Sequence, residues 1–339
     1  MKNVLVYCEV ENQKVAGISQ ELLSAGKKLA QKLGVQLEAI VLGKALKGIE
    51  KQIAPYGVDK IYMADDSRLE PYTTLPHAEI ATQIMKREQP QIVLLGATAL
   101  GRDLAPRIAS ALGCGLTADT TILDIGDHEV KKEKKVYKNL LYAIRPAFGG
   151  SIMANIINWD RHPQMATVRE GVMKNEIFDE NYQAKIEHID ADTYLNDEHF
   201  VVKILKREME ESNVNLKDAP IIVAGGYGVG SKENFKQLYD LAEILGGEVG
   251  GSRAAVDAGY IEHERQIGQT GVTVRPKLYI AAGISGAVQH TAGMQNSAMI
   301  ISINTDSNAP INELADYVIV GDLNDVIPKM IKAYKQNTK

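Results

Sequence analysis

Short β-rich apolar runs alternate with amphipathic helical patterns over the first 120 residues of the chain. Between the first two runs, Ile18, Leu22, Leu29 and Leu33 fall on one face of a helix. This alternation predicts a parallel sheet with helices on its faces. The predicted strands are Val4–Val10, Gln36–Leu42, Asp59–Ala64 and Gln91–Gly96, and two further predicted helices are Pro76–Glu88 and Arg102–Leu112.

The pattern changes after Thr120, where strand-like runs follow one another without helices between them. These runs predict an antiparallel extension of the first sheet. Lys131, Lys132, Lys134 and Lys135 cluster in the first run, either as a docking patch or as a solvated hairpin edge that resists aggregation, and the second interpretation is favoured. The predicted strands are Val130–Lys138, Leu140–Arg145, Ile152–Asn158 and Gln164–Arg169.

A polar and irregular stretch from Ile177 to Ala219, with an acidic run at 208–213, indicates the approach to a linker. A second α/β pattern follows it. The sequence therefore predicts an α/β protein of two domains: an N-terminal parallel-sheet domain over 1–205 with an antiparallel extension, and a C-terminal doubly wound, Rossmann-like domain over 206–339. The strands predicted for the second domain are Ile221–Ala224, Leu278–Ala282, Met299–Asn304 and Tyr317–Gly321, and its helices are Lys232–Leu245, one starting from Gly286, and Val326–Lys335.

The composition narrows the classes of function. A net charge of −5 argues against a general nucleic-acid binder, which needs a basic surface. Residues 1–10 lack the zones of a signal peptide and no apolar run is long enough to cross a bilayer, so we expect a cytoplasmic protein that does not insert in the membrane. Cys8 and Cys114 are the two cysteines, too few for an iron–sulfur cluster, and no metal site is predicted. If the chain moves electrons, an organic cofactor must carry them.

The segment Gly283-Ile284-Ser285-Gly286 joins a predicted strand to a predicted helix. Backbone N–H groups in such a turn can hold a diphosphate, with a further hydrogen bond from the Ser285 hydroxyl, although a tight turn without a ligand is the alternative. Asn304 and Asp322 end two later strands, at the edge of an α/β sheet where ligands bind, but each also suits a helix cap or loop. A second glycine segment, at 224–231, does not fit the G-x-G-x-x-G fingerprint.

Three segments, 251–260, 266–271 and 276–290, resemble the alpha subunits of electron-transfer flavoproteins. The resemblance spans the chain and is densest after Pro220. It implies that the C-terminal domain binds FAD and that the N-terminal domain packs on a beta subunit in a heterodimer. It also implies transfer of single electrons, through an anionic semiquinone, to or from an acyl-CoA dehydrogenase such as a butyryl-CoA dehydrogenase.

The family's FAD contacts, carried over to this chain, fall in the C-terminal domain. Arg253 and His290 are implied to tune the flavin, since a cation beside the ring stabilises the negative charge of its reduced forms. A histidine next to that anion is expected to keep its proton to a higher pH than usual. Thr270 is implied at flavin N5. The implied cofactor-binding residues are Ser252, Arg253, Gln266, Gln269, Thr270, Gly283, Ser285, Gly286, Gln289, His290, Asn304, Asp322 and Leu323.

The segment 142–150 resembles the anaerobic bacterial branch of the family, whose members can bifurcate electrons from NADH to ferredoxin with a second FAD in the beta subunit. A strand–glycine–helix unit at 96–107 resembles the part that faces the beta subunit, and so predicts an interface rather than a second cofactor site. Two other functions stay open: an adenine-nucleotide-binding module without redox chemistry, and an NAD-dependent dehydrogenase, which the broken fingerprint disfavours.

Overall fold

A computed structural model describes residues 3–130, 134–147, 152–206 and 215–337 of the chain. The chain divides into two compact units, one made of Met1–Ala147 with Ile152–Arg207 and a second that includes Glu208–Lys339. Three sequence features lie outside the described residues: the acidic run at 208–213, two lysines of the cluster (Lys131 and Lys132), and the end of the branch-like segment, 148–150.

The N-terminal unit is built on parallel strands covered by helices. Its helices are α1 (Gly17–Leu33), α2 (Glu50–Ile53), α3 (Thr74–Glu88) and α4 (Ala99–Leu112). Its strands are β1 (Asn3–Cys8), β2 (Val10–Glu11), β3 (Lys14–Val15), β4 (Gln36–Gly43), β5 (Lys60–Asp65), β6 (Ile92–Gly96), β7 (Leu116–Thr120), β8 (Ile122–Val130), β9 (Lys135–Ala147), β10 (Ile152–Ile156), β11 (Gln164–Val168) and β12 (Lys185–His188).

Within the described residues, seven strands form its main sheet in the order β12–β5–β4–β1–β6–β11–β7, and every neighbouring pair is parallel. The four strands and three helices predicted before Thr120 are present, with ends that differ by a few residues. The apolar face of α1 packs as its pattern predicts: Ile18, Leu22 and Leu29 are buried in the core against β1 and β4.

The antiparallel region differs from its prediction. It is a separate sheet, in the order β10–β9–β8, and β8 and β9 form a hairpin in which Val130 pairs with Lys135. Val130 ends one strand of this hairpin and Lys135 begins the other, so the single strand predicted at 130–138 was wrong. The strand predicted at 164–169 is β11, which lies parallel between β6 and β7 with all five residues buried. A strand buried on both faces is typical of the middle of a parallel sheet.

The polar stretch predicted to approach the linker also contains ordered structure. Strand β12 adds to the edge of the main sheet beside β5, and Ala191 and Leu195 are buried in the core of the same unit. This strand escaped prediction because it is an edge strand with charged side chains. Lys60 on β5 lies 2.7 Å from the carboxylate of Glu187 on β12.

The C-terminal unit has a parallel sheet in the order β14–β13–β15–β16–β17. Its strands are β13 (Ile221–Gly225), β14 (Glu248–Gly251), β15 (Leu278–Ala282), β16 (Ile300–Asn304) and β17 (Tyr317–Val320). Its helices are α5 (Lys236–Leu245), α6 (Arg253–Asp257), α7 (Val288–Thr291) and α8 (Leu323–Asn337). The helix predicted from Gly286 is the short α7, and β14 and α6 were not predicted.

The strand order places a crevice in this unit. From β13 the chain moves to β14 on one side, and it then returns to β15 on the other side of β13. Between β13 and β15 the loops that follow the strands therefore leave in opposite directions, and ligands of open α/β sheets bind at such a switch point. Side chains of β13 and β15 fill a core on each face: Val223 and Ile280 on one, Ile222 and Tyr279 on the other. In the part of the chain that the structure describes, no helix is long and apolar enough to cross a membrane.

Candidate functional site

Glycines bring the loops after β13 and β15 into backbone contact at the switch point. The N–H of Gly226 donates to the carbonyl oxygen of Ala282 at 2.9 Å, and the N–H of Gly228 donates to that of Gly283 at 3.1 Å. A Cβ atom on Gly226 would lie 2.0 Å from the Gly283 carbonyl oxygen, so the space beside Gly226 is too small for any side chain. The 224–231 segment is therefore required for packing, although it does not fit a dinucleotide fingerprint.

The loop that follows β15, Gly283–Ala287, is called the 283–287 loop. Gly286 has φ of 89°, and a Cβ atom added there would lie 2.2 Å from the backbone nitrogen of Ile311. The N–H of Ile311 donates to the backbone carbonyl oxygen of Ser285 at 3.1 Å. Among the described residues, the N–H groups of Ser285, Gly286, Ala287 and Val288 have no backbone acceptor. With the exposed Ser285 hydroxyl, they form a set of donors that suits an anion.

The turn that precedes β15, Gln266–Gly271, is called the 266–271 turn. The buried Gln266 side chain donates from Nε2 to Oγ1 of Thr270 at 3.0 Å. Because that oxygen already accepts a hydrogen bond, its own hydrogen can be donated elsewhere. The side chains of Gln269 and Thr270 are exposed, and the backbone N–H of Gln269 donates to the backbone carbonyl oxygen of Gln289 at 2.6 Å. The turn thus offers a hydroxyl donor and an amide to a ligand.

Ser252 and Arg253 start α6, directly after β14. The Ser252 hydroxyl caps the helix by accepting from the N–H of Ala255 at 3.4 Å, so this side chain has a structural role. The Arg253 side chain is 69% exposed, and its Nε lies 3.4 Å from the carboxylate of Asp257. A solvent-exposed pair of this kind contributes little energy, so the guanidinium is available to a negatively charged ligand.

His290 on α7 is bonded at both ring nitrogens. Nδ1 lies 3.0 Å from the Ile267 carbonyl oxygen and Nε2 lies 3.0 Å from the Tyr279 hydroxyl. Burial of the ring, which is 7% exposed, lowers its pKa to about 4. Burial therefore favours the neutral imidazole in the protein without FAD, and a raised pKa beside a flavin anion stays a prediction. The α7 dipole offers little to an anion because this helix has four residues.

The remaining predicted residues lie at or after the carboxyl ends of β16 and β17, and they contact neighbouring loops and helices. Asn304 donates from Nδ2 to the Ile284 oxygen at 2.9 Å and accepts from the N–H of Asp306 at 3.0 Å. Asp322 accepts from the N–H of Asn324 at 2.8 Å at the start of α8, the cap that its sequence position allowed. Leu323 is buried in the core beside it. Their contacts with FAD stay predictions.

Two residues of this region were not predicted. Tyr279 is fully buried on β15 and reaches His290, but in the sequence it is one apolar member of a strand. Tyr227 is 63% exposed between two glycines of the loop after β13, and its ring stacks on Tyr260 with centroids 5.9 Å apart. An aromatic residue between glycines in a loop was the signal that sequence reasoning passed over.

The donor set fits a dinucleotide with a planar ring. The 283–287 loop carries N–H groups and a hydroxyl, the 266–271 turn carries a hydroxyl donor, and Arg253 supplies a cation. The run from Gly283 to Thr291 contains no carboxylate that would repel a diphosphate. Among the described residues, no group of three or more histidine, cysteine, aspartate or glutamate side chains is arranged to hold a metal ion.

The N-terminal unit has a switch point of its own, between β1 and β6, and a carboxylate occupies it. Glu9, 7% exposed after β1, accepts hydrogen bonds from the Thr98 hydroxyl at 2.8 and 3.0 Å. Thr98 Oγ1 in turn accepts from the N–H of Gly101 at the start of α4. Burial raises the pKa of Glu9 to about 7. A carboxylate here disfavours a phosphate, and the interface predicted for this segment stays a prediction.

Comparisons with known proteins match both units. Residues 4–194 match the model of the electron transfer flavoprotein domain, and residues 215–295 match that of the electron transfer flavoprotein FAD-binding domain. The electron transfer flavoprotein subunit alpha of Thermoanaerobacterium thermosaccharolyticum is 46% identical over 336 residues, covering 99% of this chain and 98% of that protein. The subunit alpha of Megasphaera elsdenii is 42% identical over 338 residues, covering 99% and 97%.

A third relative carries a more specific name. The acryloyl-CoA reductase electron transfer subunit beta of Anaerotignum propionicum is 40% identical over 353 residues, covering 99% of this chain and 96% of that protein. The matches run through both units, and the second family model covers the 283–287 loop, the 266–271 turn, Arg253 and His290. The chain therefore belongs to the alpha subunits of the electron transfer flavoproteins, with an FAD-binding C-terminal domain.

Proposed function

We propose that this chain holds FAD at the switch point of its C-terminal unit and relays single electrons in a heterodimer with a beta subunit. The observation that carries the site is the set of N–H groups in the 283–287 loop that have no backbone acceptor among the described residues. FAD, when bound, supplies the redox chemistry, and the chain supplies its binding and orientation.

Each part of the site has a task in this proposal. The N–H groups and hydroxyl of the 283–287 loop bind the diphosphate. The 266–271 turn presents the Thr270 hydroxyl as a hydrogen-bond donor to the ring, since Gln266 already fills one of its acceptor positions. Arg253 contributes a positive charge from the first turn of α6. Burial lowers the pKa of His290 to about 4, so without FAD its ring is neutral at pH 7 and it enters the site as a hydrogen-bonding group.

Replacement of Ser285 tests the site. Ser285→Asp places a carboxylate among the diphosphate donors. Repulsion between two unit charges about 4 Å apart is about 1 kcal/mol in water and about 4 kcal/mol near a protein surface. We therefore expect FAD to bind about 100-fold more weakly to the heterodimer. Ser285→Ala removes one neutral hydrogen bond, which predicts a loss of about fivefold.

Fluorescence titration of the apo-heterodimer with FAD measures these affinities. Ser67→Asp, which adds the same charge at an exposed position of the N-terminal unit, is the control and should bind FAD as the parent does. Equal affinities for Ser285→Asp and Ser285→Ala would place the diphosphate elsewhere. A protein that binds AMP but retains no FAD would favour the adenine-nucleotide-binding module.

We further propose an acyl-CoA dehydrogenase as electron partner, with NADH and ferredoxin served through the beta subunit. The relative named for acryloyl-CoA reductase supports the acyl-CoA class. The expected result is that the NADH-reduced heterodimer passes electrons to an acyl-CoA dehydrogenase, and that ferredoxin is reduced only while this transfer proceeds. Anaerobic stopped-flow absorbance with each component omitted in turn measures it. Transfer to the dehydrogenase without ferredoxin reduction would contradict the proposal of bifurcation, but it would still support the proposal that the heterodimer is an electron carrier.

A further inference from the structure

The buried Tyr279–His290 pair joins the centre of the sheet to the 266–271 turn. Tyr279 is 0% exposed in the middle of the sheet, where β15 pairs with both β13 and β16. Its hydroxyl bonds to one nitrogen of His290, and the other nitrogen bonds to the carbonyl oxygen of Ile267 in the turn. We propose that Tyr279 is a positioning residue for FAD binding, which through His290 holds the 266–271 turn in place.

The chemistry of the two partners determines which nitrogen of His290 carries the hydrogen and which atom donates in each hydrogen bond. A carbonyl oxygen can only accept, so the hydrogen of His290 lies on Nδ1 and is donated to Ile267. In the neutral ring Nε2 is then an acceptor, and the Tyr279 hydroxyl must donate to it. Tyr279 thereby selects one tautomer of His290, and this is the tautomer that can bond to the turn.

Close backbone packing makes the turn depend on this position. The N–H of Gln269 donates to the oxygen of Gln289, the residue before His290, at 2.6 Å. A Cβ on Gly268 would lie 2.8 Å from the same oxygen, and one on Gly293 would lie 2.5 Å from the Gly268 Cα. Since the turn touches α7 without intervening side chains, a displaced His290 moves Gln269 and Thr270 with it.

The N-terminal unit contains a matched pair that has no part in the proposed site. The Tyr7 hydroxyl lies 2.7 Å from Nδ1 of His77, and Nε2 of His77 lies 2.9 Å from the Leu69 carbonyl oxygen. Both residues are buried. By the same argument the hydrogen of His77 lies on Nε2, the opposite tautomer. Tyr7→Phe therefore costs a buried hydrogen bond of the same kind, but at a distance in sequence from any FAD contact.

The test compares Tyr279→Phe with Tyr7→Phe in the full heterodimer with its beta subunit. Loss of the donor leaves a buried acceptor on His290 without a partner, so we expect the FAD dissociation constant to rise about tenfold in Tyr279→Phe. Hydrogen exchange at the Gln269 amide should become faster in the same variant. Tyr7→Phe should bind FAD within about twofold of the parent, although it loses a comparable hydrogen bond.

Imidazole nitrogen NMR of the histidine-labelled parent holo-complex needs no variant. It should show His290 with its hydrogen on Nδ1 and His77 with its hydrogen on Nε2. Parent-like FAD affinity in Tyr279→Phe, or a hydrogen on Nε2 of His290, would overturn the inference. The inference rests on the FAD site proposed above, and Ser285→Asp separates the two. If that variant loses FAD while Tyr279→Phe does not, only the positioning role fails.

Discussion

Gly286→Ala is expected to destabilise the C-terminal unit by about 3 kcal/mol and to weaken FAD binding by more than about 100-fold. Gly286 has φ of 89°, where an alanine is strained by about 1 kcal/mol. Its Cβ would also lie 2.2 Å from the Ile311 nitrogen, so the 283–287 loop must move away from Ile311. The donors of Ser285, Gly286 and Ala287 lie in the segment that moves, and their loss removes the diphosphate contacts.

Gly246→Ala is the control that separates the backbone strain of an alanine at positive φ from the steric clash of its Cβ atom. Gly246 ends α5 with φ of 70°, and a Cβ there meets nothing within 4 Å. This variant should lose about 1 kcal/mol and keep its affinity for FAD. Denaturant unfolding and FAD content after gel filtration measure both effects. If Gly286→Ala behaves like Gly246→Ala, the 283–287 loop tolerates the methyl group and its geometry does not set FAD binding.

The contrast between β15 and β14 shows which strands a sequence can reveal. The bounds predicted for β15, Leu278–Ala282, are those observed, because a strand buried on both faces is a continuous apolar run. Strand β14 was missed because two of its four residues are glycines. A Cβ on Gly250 would lie 2.3 Å from Ile267 Cδ1, so the packing of a distant loop requires the glycine. Locally, such a strand resembles a turn.

The local geometry of the candidate site could be predicted to a similar extent and for similar reasons, while its contacts with FAD stay predictions. The glycines and Ser285 follow from the order of strand, turn and helix, which is local in the sequence. The state of His290 does not, since its partners are a carbonyl 23 residues away and a hydroxyl 11 residues away. Its charge depends on burial, which no spacing reveals. The predicted charge of His290 beside a bound flavin stays a prediction.

Acidification from pH 7 to pH 4.5 is expected to destabilise the C-terminal unit by about 2–3 kcal/mol. Burial lowers the pKa of His290 from 6.5 to about 4. The unfolded chain therefore takes up a proton below pH 6.5 that the folded chain takes up only near pH 4. Above pH 6.5 neither state binds this proton, and the free energy of unfolding has its full value. As the pH falls below 6.5, proton uptake by the unfolded chain lowers that free energy, and the gap between the two pKa values corresponds to about 3 kcal/mol.

The N-terminal unit should change less over the same range because it contains groups of opposite effect, with His77 and His162 on one side and Glu9 and Glu38 on the other. His77 is buried with a pKa lowered to about 4, so it loses stability on acidification as His290 does. Burial raises the pKa of Glu9 from 4.5 to about 7, which has the opposite sign. Its contribution is fully present below pH 4.5 and is lost as the pH rises through 7, so acidification restores about what His77 removes.

Hydrogen exchange with peptide mass spectrometry reads the two units separately, in the heterodimer at saturating FAD. His290→Asn keeps a donor for the Ile267 oxygen but does not titrate, so the acid loss in the C-terminal unit should disappear. Glu9→Gln removes one of the opposing groups, so the N-terminal unit should then lose stability on acidification to pH 4.5, by less than the C-terminal unit because the buried Glu38 also has a raised pKa. A parallel decline of both units in the parent, or an unchanged slope in His290→Asn, would show that other groups govern the acid response. The expected pattern makes the unit that binds FAD the first to open in acid, since it carries a buried histidine without a buried carboxyl of opposite effect among its described residues.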